Sequence, residues 1–310
     1  MSGVAVALVG ATATGKSVLA HAAAREDPRC EIVAIDAMTV YRGMDLATAK
    51  ATPAERLEVT YHLLDLVEAH EEFTVAQYQR AARRVTDDVW SRGRRVIYVG
   101  GTGLYLRAVL DDLEIPGQFD EVRRELEARV MGGEDLYSQL TRVDPVAATR
   151  LEPSNVRRVV RALEVTLGSG RPFSTYGPGL ATYAPARVVQ VGLRVPIEEL
   201  DARIEHRFHQ WMRDGLLDEV GRLVADPRGL SRTARQAVGY RQMLAHLEEG
   251  LDLNAAIEAS IAQSRRLARR QRSWFNRDPR IEWFEDPLAA AQRVTDVLNG
   301  ADGDVRDWRT

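Results

Sequence analysis

Hydrophobic residues in the first third of the chain fall into short unbroken runs, separated by stretches with helical spacing. Val4 to Val9 is continuously apolar, as expected of a strand covered on both faces. Val18, Leu19, Ala22 and Ala23 then recur at helical intervals, and Glu31 to Ile35 reads as a second buried strand that ends at Asp36. Thr74 with Gln77 forms a capping box for a helix whose Tyr78, Ala81, Val85 and Val89 share one face, closed by Gly93. Val96 to Val99 is a third strand, emptying into Gly100-Gly101-Thr102-Gly103 and the helical Leu104 to Leu110. This alternation predicts an α/β core around a parallel sheet, where ligands sit beyond the carboxyl ends of the strands. Gly10 to Ser17, Asp36 and Thr102 are therefore expected to line one crevice.

Around Ile115-Pro116-Gly117 the pattern changes to short polar helices rich in Arg and Glu, broken by Gly132-Gly133, Asp144-Pro145 and the stretch Gly168 to Pro172. No strand-like run returns until Val188 to Leu193. Residues 115–185 thus read as a helical insertion domain, and 1–114 with 186–300 as the core. Ile197, Leu200, Ile204, Phe208 and Trp211 line one face of a later helix, Ile281 to Phe284 reads as a last strand, and 301–310 as a loose tail.

A length of 310 residues, 45% of them apolar and 28% charged, supplies core for two domains or for one core with a large insertion. Cys30 is the single cysteine, which excludes an internal disulfide, a four-cysteine zinc site and a cysteine-held iron–sulfur cluster. It reads as a small buried side chain. The apolar start followed by Ala11-Thr12-Ala13 imitates a signal peptide, but no cation precedes it and the run is too short. No segment approaches the ~18 apolar residues that span a bilayer, so the chain reads as soluble and cytoplasmic, without a membrane partner.

The formal net charge of −3 argues against a polyanionic partner, yet it hides a local bias. Between Gln263 and Arg280 stand Arg265, Arg266, Arg269, Arg270, Arg272, Arg277 and Arg280 against the single acid Asp278, with Trp274 and Phe275 among them. Such a run either draws a nucleic acid or forms the solvated face of a helix with aromatics in the core. His206 and His209 form an i, i+3 pair with no third ligand in an evident motif and read as surface or packing residues; the chemistry of His62 is not deducible.

Of 42 basic residues only Lys16 and Lys50 are lysine. Lys16 closes Gly10-Ala11-Thr12-Ala13-Thr14-Gly15-Lys16-Ser17, which fills every fixed position of G-x-x-x-x-G-K-[ST]. A slim ammonium fits inside a ring of backbone N–H groups around a phosphate where the planar guanidinium fork does not. Strand, glycine turn and helix start in that order aim unpaired N–H groups and a helix dipole at an anion. The motif says diphosphate or triphosphate without saying kinase. P-loop NTPases place a magnesium-holding Asp at the end of an apolar strand, whereas Val96 to Val99 ends in glycines. Asp36 closes an apolar strand instead, where it is placed to serve magnesium or a proton transfer.

With Gly10 to Ser17 and Gly100 to Tyr105, the segment Asp36 to Lys50 resembles the tRNA dimethylallyltransferases, also called isopentenylpyrophosphate transferases. It departs from their pattern at Ala47, where the family has Gly. The resemblance continues in order through Asn155 to Glu164, Arg203 to Phe208, Ala237 to Gln242 and Arg270 to Phe275, covering about residues 4–285. It implies a P-loop NTPase-like core and transfer of a five-carbon group from dimethylallyl diphosphate to the exocyclic amine of the adenosine just 3′ of a tRNA anticodon. On that resemblance the loop Gly10, Ala11, Thr12, Ala13, Thr14, Gly15, Lys16 and Ser17 holds the leaving diphosphate, Mg²⁺ sits near Ser17, and Arg207 adds positive charge. Asp36 is the base. The anticodon stem-loop would be touched by Asp36, Ala37, Met38, Thr39, Thr102, Arg123, Arg157, Arg158, Arg161, Gln236, Ala237, Val238, Gly239, Tyr240 and Arg241, with the target base flipped from its stack and the enzyme working as a monomer. The rivals are a P-loop small-molecule kinase and an RNA-binding protein that uses a nucleotide only as a switch.

Overall fold

The computed structural model describes residues 3–300, so the expected tail at 301–310 lies outside it. Strands β1 (Ala5–Val9), β2 (Cys30–Ile35), β3 (Tyr61–His62), β4 (Arg95–Gly100), β5 (Val189–Leu193) and β6 (Ile281–Phe284) form one six-stranded sheet in the order β3-β2-β4-β1-β5-β6. Every pairing is parallel. Each expected strand is present within a residue or so of its sequence limits. β3 is the addition: two residues without an apolar run, recruited by pairing with Ile32 and Val33 of β2.

Unbroken apolar runs make sense because the sheet is covered twice. Alternation sends Ala5, Ala7 and Val9 of β1 to one face, against Tyr78, Ala82 and Val89 of the helix Val75–Ser91 and against Leu106 and Val109 of the helix Gly103–Leu110. Val6 and Leu8 go to the other face, against Leu19, Ala20 and Ala24 of the helix Lys16–Glu26 and Ala290, Val294 and Leu298 of the helix Pro287–Leu298. The capping box at Thr74 is formed in both directions, Gln77 N–H donating to Thr74 Oγ1 at 3.2 Å and Thr74 N–H to Gln77 Oε1 at 2.8 Å.

Two compact units divide the chain, Leu113–Ala184 and the sequence before and after it. Leu113–Ala184 is helical, with Asp120–Met131, Leu136–Val143, Pro145–Thr149 and Val156–Ser169 closed around Leu126, Leu140, Val159 and Leu163. Buried Asp144 caps the helix after it by accepting from Ala147 N–H at 2.9 Å, and it also accepts from Ser174 N–H at 2.8 Å.

Register levels the strand ends that carry the chemistry. Gly100 of β4 is opposite Val9 on one side and Ile35 on the other. Gly10, Asp36 and Gly101 therefore leave three adjacent strands at the same height. Gly100 permits this closeness, since a Cβ there would lie 2.0 Å from the Ile35 carbonyl oxygen.

Candidate active site

The turn after β1 takes a path ordinary residues avoid. Gly10 has φ 135° and Gly15 φ 96°, and the helix begins at Lys16 with no side chain capping its first turn. Its orphan N–H groups are thereby left for an anion. Thr14 Oγ1 closes the loop on Ala11 O at 3.0 Å, and Lys16 Nζ donates to the same carbonyl at 2.5 Å. Ser17 is exposed on the first helical turn.

Two cations share this place. Lys16 is 7% exposed. Burial brings it down from 10.5 to about 7, the charge of Arg207 adds to that, and the Asp36 carboxylate opposes it. Arg207 comes from the helix Ile197–Arg213; its terminal nitrogen donates to Thr12 Oγ1 at 2.7 Å, its guanidinium lies 4.7 Å from the Trp211 ring centre, and its Nε is buried without a partner. Burial lowers Arg207 to about 10. Like charges held together out of water are unfavourable unless an anion completes the set.

Asp36 follows β2 directly and keeps only part of its surface open. Burial pushes its carboxyl above the usual range, against the pull of the Met38 N–H, the Thr102 hydroxyl, the Thr39 N–H and Lys16. Met38 N–H donates to Oδ1 at 2.8 Å and Thr102 Oγ1 to Oδ2 at 3.3 Å, while Thr102 Oγ1 accepts from Ala37 N–H at 3.3 Å. Of the groups expected to line one crevice, Asp36 and Thr102 are in contact, and the loop Gly10 to Ser17 leaves the sheet at the same height. Thr39 beside it is buried with its hydroxyl unpartnered.

The second lysine is structural. Lys50 Nζ is buried and donates to Tyr41 O at 2.7 Å, Asp45 Oδ1 at 2.6 Å and Asp65 Oδ1 at 2.7 Å. Three acceptors converge on one nitrogen, a geometry that suits an ammonium and not a planar fork. Glu219, which the sequence did not single out, holds the same loop by accepting from Asp45 N–H at 3.0 Å, Leu46 N–H at 3.2 Å and the Tyr240 hydroxyl. Ala47 packs over Gly239, where a Cβ would come within 2.9 Å of the Ala47 methyl. The departure at Ala47 is accommodated because Gly239 has no side chain.

The residues expected at RNA are in differing states. Gln236 and Arg241 are exposed, but Ala237, Gly239 and Tyr240 are buried and Val238 half-buried. Those buried side chains shape the loop and present no surface to a partner. In Leu113–Ala184, Arg157 and Arg158 are exposed at the start of Val156–Ser169. Arg161 is instead turned inward to Glu164 at 2.5 Å and to the carbonyls of Pro116 and Gly117, and Arg123 pairs with Glu127 at 2.9 Å. Much of the arginine run is likewise engaged within the fold: Arg265 with Glu205, Arg269 with Asp201, and Arg280 with Asp111 and Asp278. Arg266 and Arg270 are exposed. Cys30 is buried, which raises its thiol to about 12. His62 Nε2 donates to the Glu31 carboxylate at 2.6 Å, away from the strand ends that carry the loops, while His206 and His209 are exposed.

A glycine loop with a buried lysine and a half-buried arginine, near a desolvated carboxylate that ends β2, fits a phosphate-loop enzyme of group transfer. The sequence profile of the IPP transferase family matches residues 39–278. A tRNA dimethylallyltransferase of Kineococcus radiotolerans is 47% identical, the alignment covering 94% of this chain and 96% of the relative. The full-length tRNA isopentenylpyrophosphate transferase from Bacillus halodurans superposes with a TM-score of 0.69 at 34% identity, over 95% of this chain and 96% of that one. A eukaryotic dimethylallyltransferase acting on tRNA shares the fold, with a TM-score of 0.77 at 23% identity over 100% of this chain and 82% of its own. The chain belongs to the IPP transferase family. Membership sets aside the small-molecule kinase and the nucleotide switch. Among the described residues no helix is long and apolar enough to cross a membrane.

Proposed function

We propose that this chain is a tRNA dimethylallyltransferase, a prenyltransferase of tRNA modification that moves the dimethylallyl group of dimethylallyl diphosphate to N6 of the adenosine 3′-adjacent to the anticodon. The observation that carries the reading is that buried Lys16 feels both Arg207 and Asp36, with the loop after β1 and Asp36 after β2 leaving the sheet at the same height.

The allylic C–O bond breaks, its electron pair leaves with the diphosphate, and the new C–N bond forms to the adenine amine. Charge grows on the leaving oxygens, where the loop N–H groups, Lys16 and Arg207 are already oriented and need no reorganisation. As N6 bonds to carbon its proton becomes acidic, and Asp36 accepts it. Thr102 and the Met38 N–H hold that carboxylate in position. Burial raises this carboxyl, which makes it a stronger base than an ordinary one. The products are N6-isopentenyladenosine and diphosphate.

Ser17 supplies one exposed hydroxyl, and among the described residues no cluster of three or more His, Cys, Asp or Glu side chains surrounds it. That donor set fits Mg²⁺, which binds through few protein oxygens and completes its shell with water and substrate phosphate. Bound there, it would neutralise leaving-group charge. For RNA, the helical unit offers exposed Arg157 and Arg158 and the sheet unit exposed Gln236 and Arg241, while Thr39 and Thr102 stand beside Asp36. The enzyme works as a cytoplasmic monomer.

Incubation with dimethylallyl diphosphate, Mg²⁺ and an anticodon stem-loop bearing the target adenosine is expected to add one C5H8 unit to the RNA by mass spectrometry. Turnover of ATP without RNA, and no change in the RNA, would overturn the proposal.

A further inference from the structure

Gln271 lies on the helix Leu253–Phe275, remote in sequence from both strand-end loops, yet its side-chain amide joins them. Its Oε1 accepts from Thr12 N–H at 2.8 Å and its Nε2 donates to Gly101 O at 2.9 Å. Glycine at 101 makes room, since a Cβ there would lie 2.7 Å from Gln271 Nε2. One helical turn on, Trp274 seats the same helix over Gly103, where a Cβ would lie 2.1 Å from the indole nitrogen.

Both partners are placed next to functional groups. Thr12 also accepts from Arg207 at 2.7 Å, and Gly101 precedes Thr102, which donates to Asp36 at 3.3 Å. The geometry assigns Gln271 as a positioning residue: a strut that fixes the distance between the diphosphate loop and the Thr102–Asp36 acceptor side. The assignment rests on the proposed roles of those two sides. Only a neutral amide does this, because one end must accept and the other donate. Glu keeps the acceptor end but sets a carboxylate oxygen against the Gly101 carbonyl, and Met fills the space while making neither bond. A strut matters because a misplacement of ~1 Å between reacting groups slows a transfer about a hundredfold while binding changes little.

The test measures kcat and KM for the anticodon stem-loop in Gln271→Met and Gln271→Glu, with thermal melting of each. Both variants are expected to lose about 10–100-fold in kcat with KM for RNA within about twofold and melting little changed. Because the strut acts through Thr102, the double variant Gln271→Met with Thr102→Ala is expected within about threefold of the slower single variant. The assignment is overturned if either Gln271 variant keeps more than about a third of kcat, if KM rises and melting falls in step with the loss of kcat, or if the double variant shows the full product of the two losses. Asp36→Asn run beside them separates the two levels. Retained turnover there defeats the site reading itself, whereas a dead Asp36→Asn with an active Gln271→Met defeats the strut alone.

Discussion

Lys16 titrates, in the free protein, near the pH at which the enzyme would work. Its positive charge completes the diphosphate grip, so kcat/KM for the donor should decline as pH rises through about 7, since that ratio reports groups of the free enzyme. Bound diphosphate favours the ammonium, so kcat should hold to higher pH. The sign for stability is opposite. Between about 7 and 10.5 the unfolded chain carries a proton the folded one has lost, so raising pH through that window stabilises the fold. Lys16→Met should therefore melt no lower than the parent while losing pyrophosphate binding by calorimetry, and Lys16→Arg should impair that binding despite keeping the charge. Asp36 is destabilised in its charged form, so kcat should fall on the acid side above the ordinary carboxylate range of ~3.9. Asp36→Asn should lose about 10²–10⁴ in kcat with RNA affinity nearly unchanged and melting held or raised; equal losses in affinity and rate would reject Asp36 as the base.

At the scale of elements, the segment from Asp36 to Lys50 contains no strand or helix of its own and is shaped by charge. Lys50 ties its end to Tyr41, Asp45 and Asp65, and Glu219 ties its middle. Removing one member of such a set leaves the others desolvated, and Lys50→Met is expected to cost about 2–3 kcal/mol, less than a fully buried pair because Asp45 is 55% exposed. Lys50→Arg should not restore melting. Since the same segment carries Ala37, Met38 and Thr39 beside Asp36, both variants should also raise KM for RNA, which steady-state kinetics will show.

For the whole molecule, the electrostatic question is which arginines remain for a polyanion. The helical unit leaves Arg157 and Arg158 exposed and turns Arg161 inward. Replacing Arg157 and Arg158 together by Ala should weaken RNA binding at low salt and reduce the slope of log affinity against log salt by about 2, with kcat at saturating RNA unchanged. Replacing Arg161 should instead lower melting, because Glu164 would lose a partner in the interior.

Much of this was legible locally. The runs at Val4 to Val9, Glu31 to Ile35 and Val96 to Val99 specify buried strands because apolar continuity has few other uses, and the glycine motif specifies an anion turn because its backbone angles exclude most residues. Those two facts already bring Lys16, Asp36 and Thr102 to one edge of a parallel sheet. Tertiary structure alone decided what depends on meetings far apart in sequence: β3 borrowing its pairing from β2, Gln271 reaching the phosphate loop, Glu219 gripping Asp45 and Leu46, and the division of the arginines into inward and outward sets. A guanidinium or an amide carries no local sign of its partner, because side-chain hydrogen bonds are chosen by what packing brings within about 3 Å.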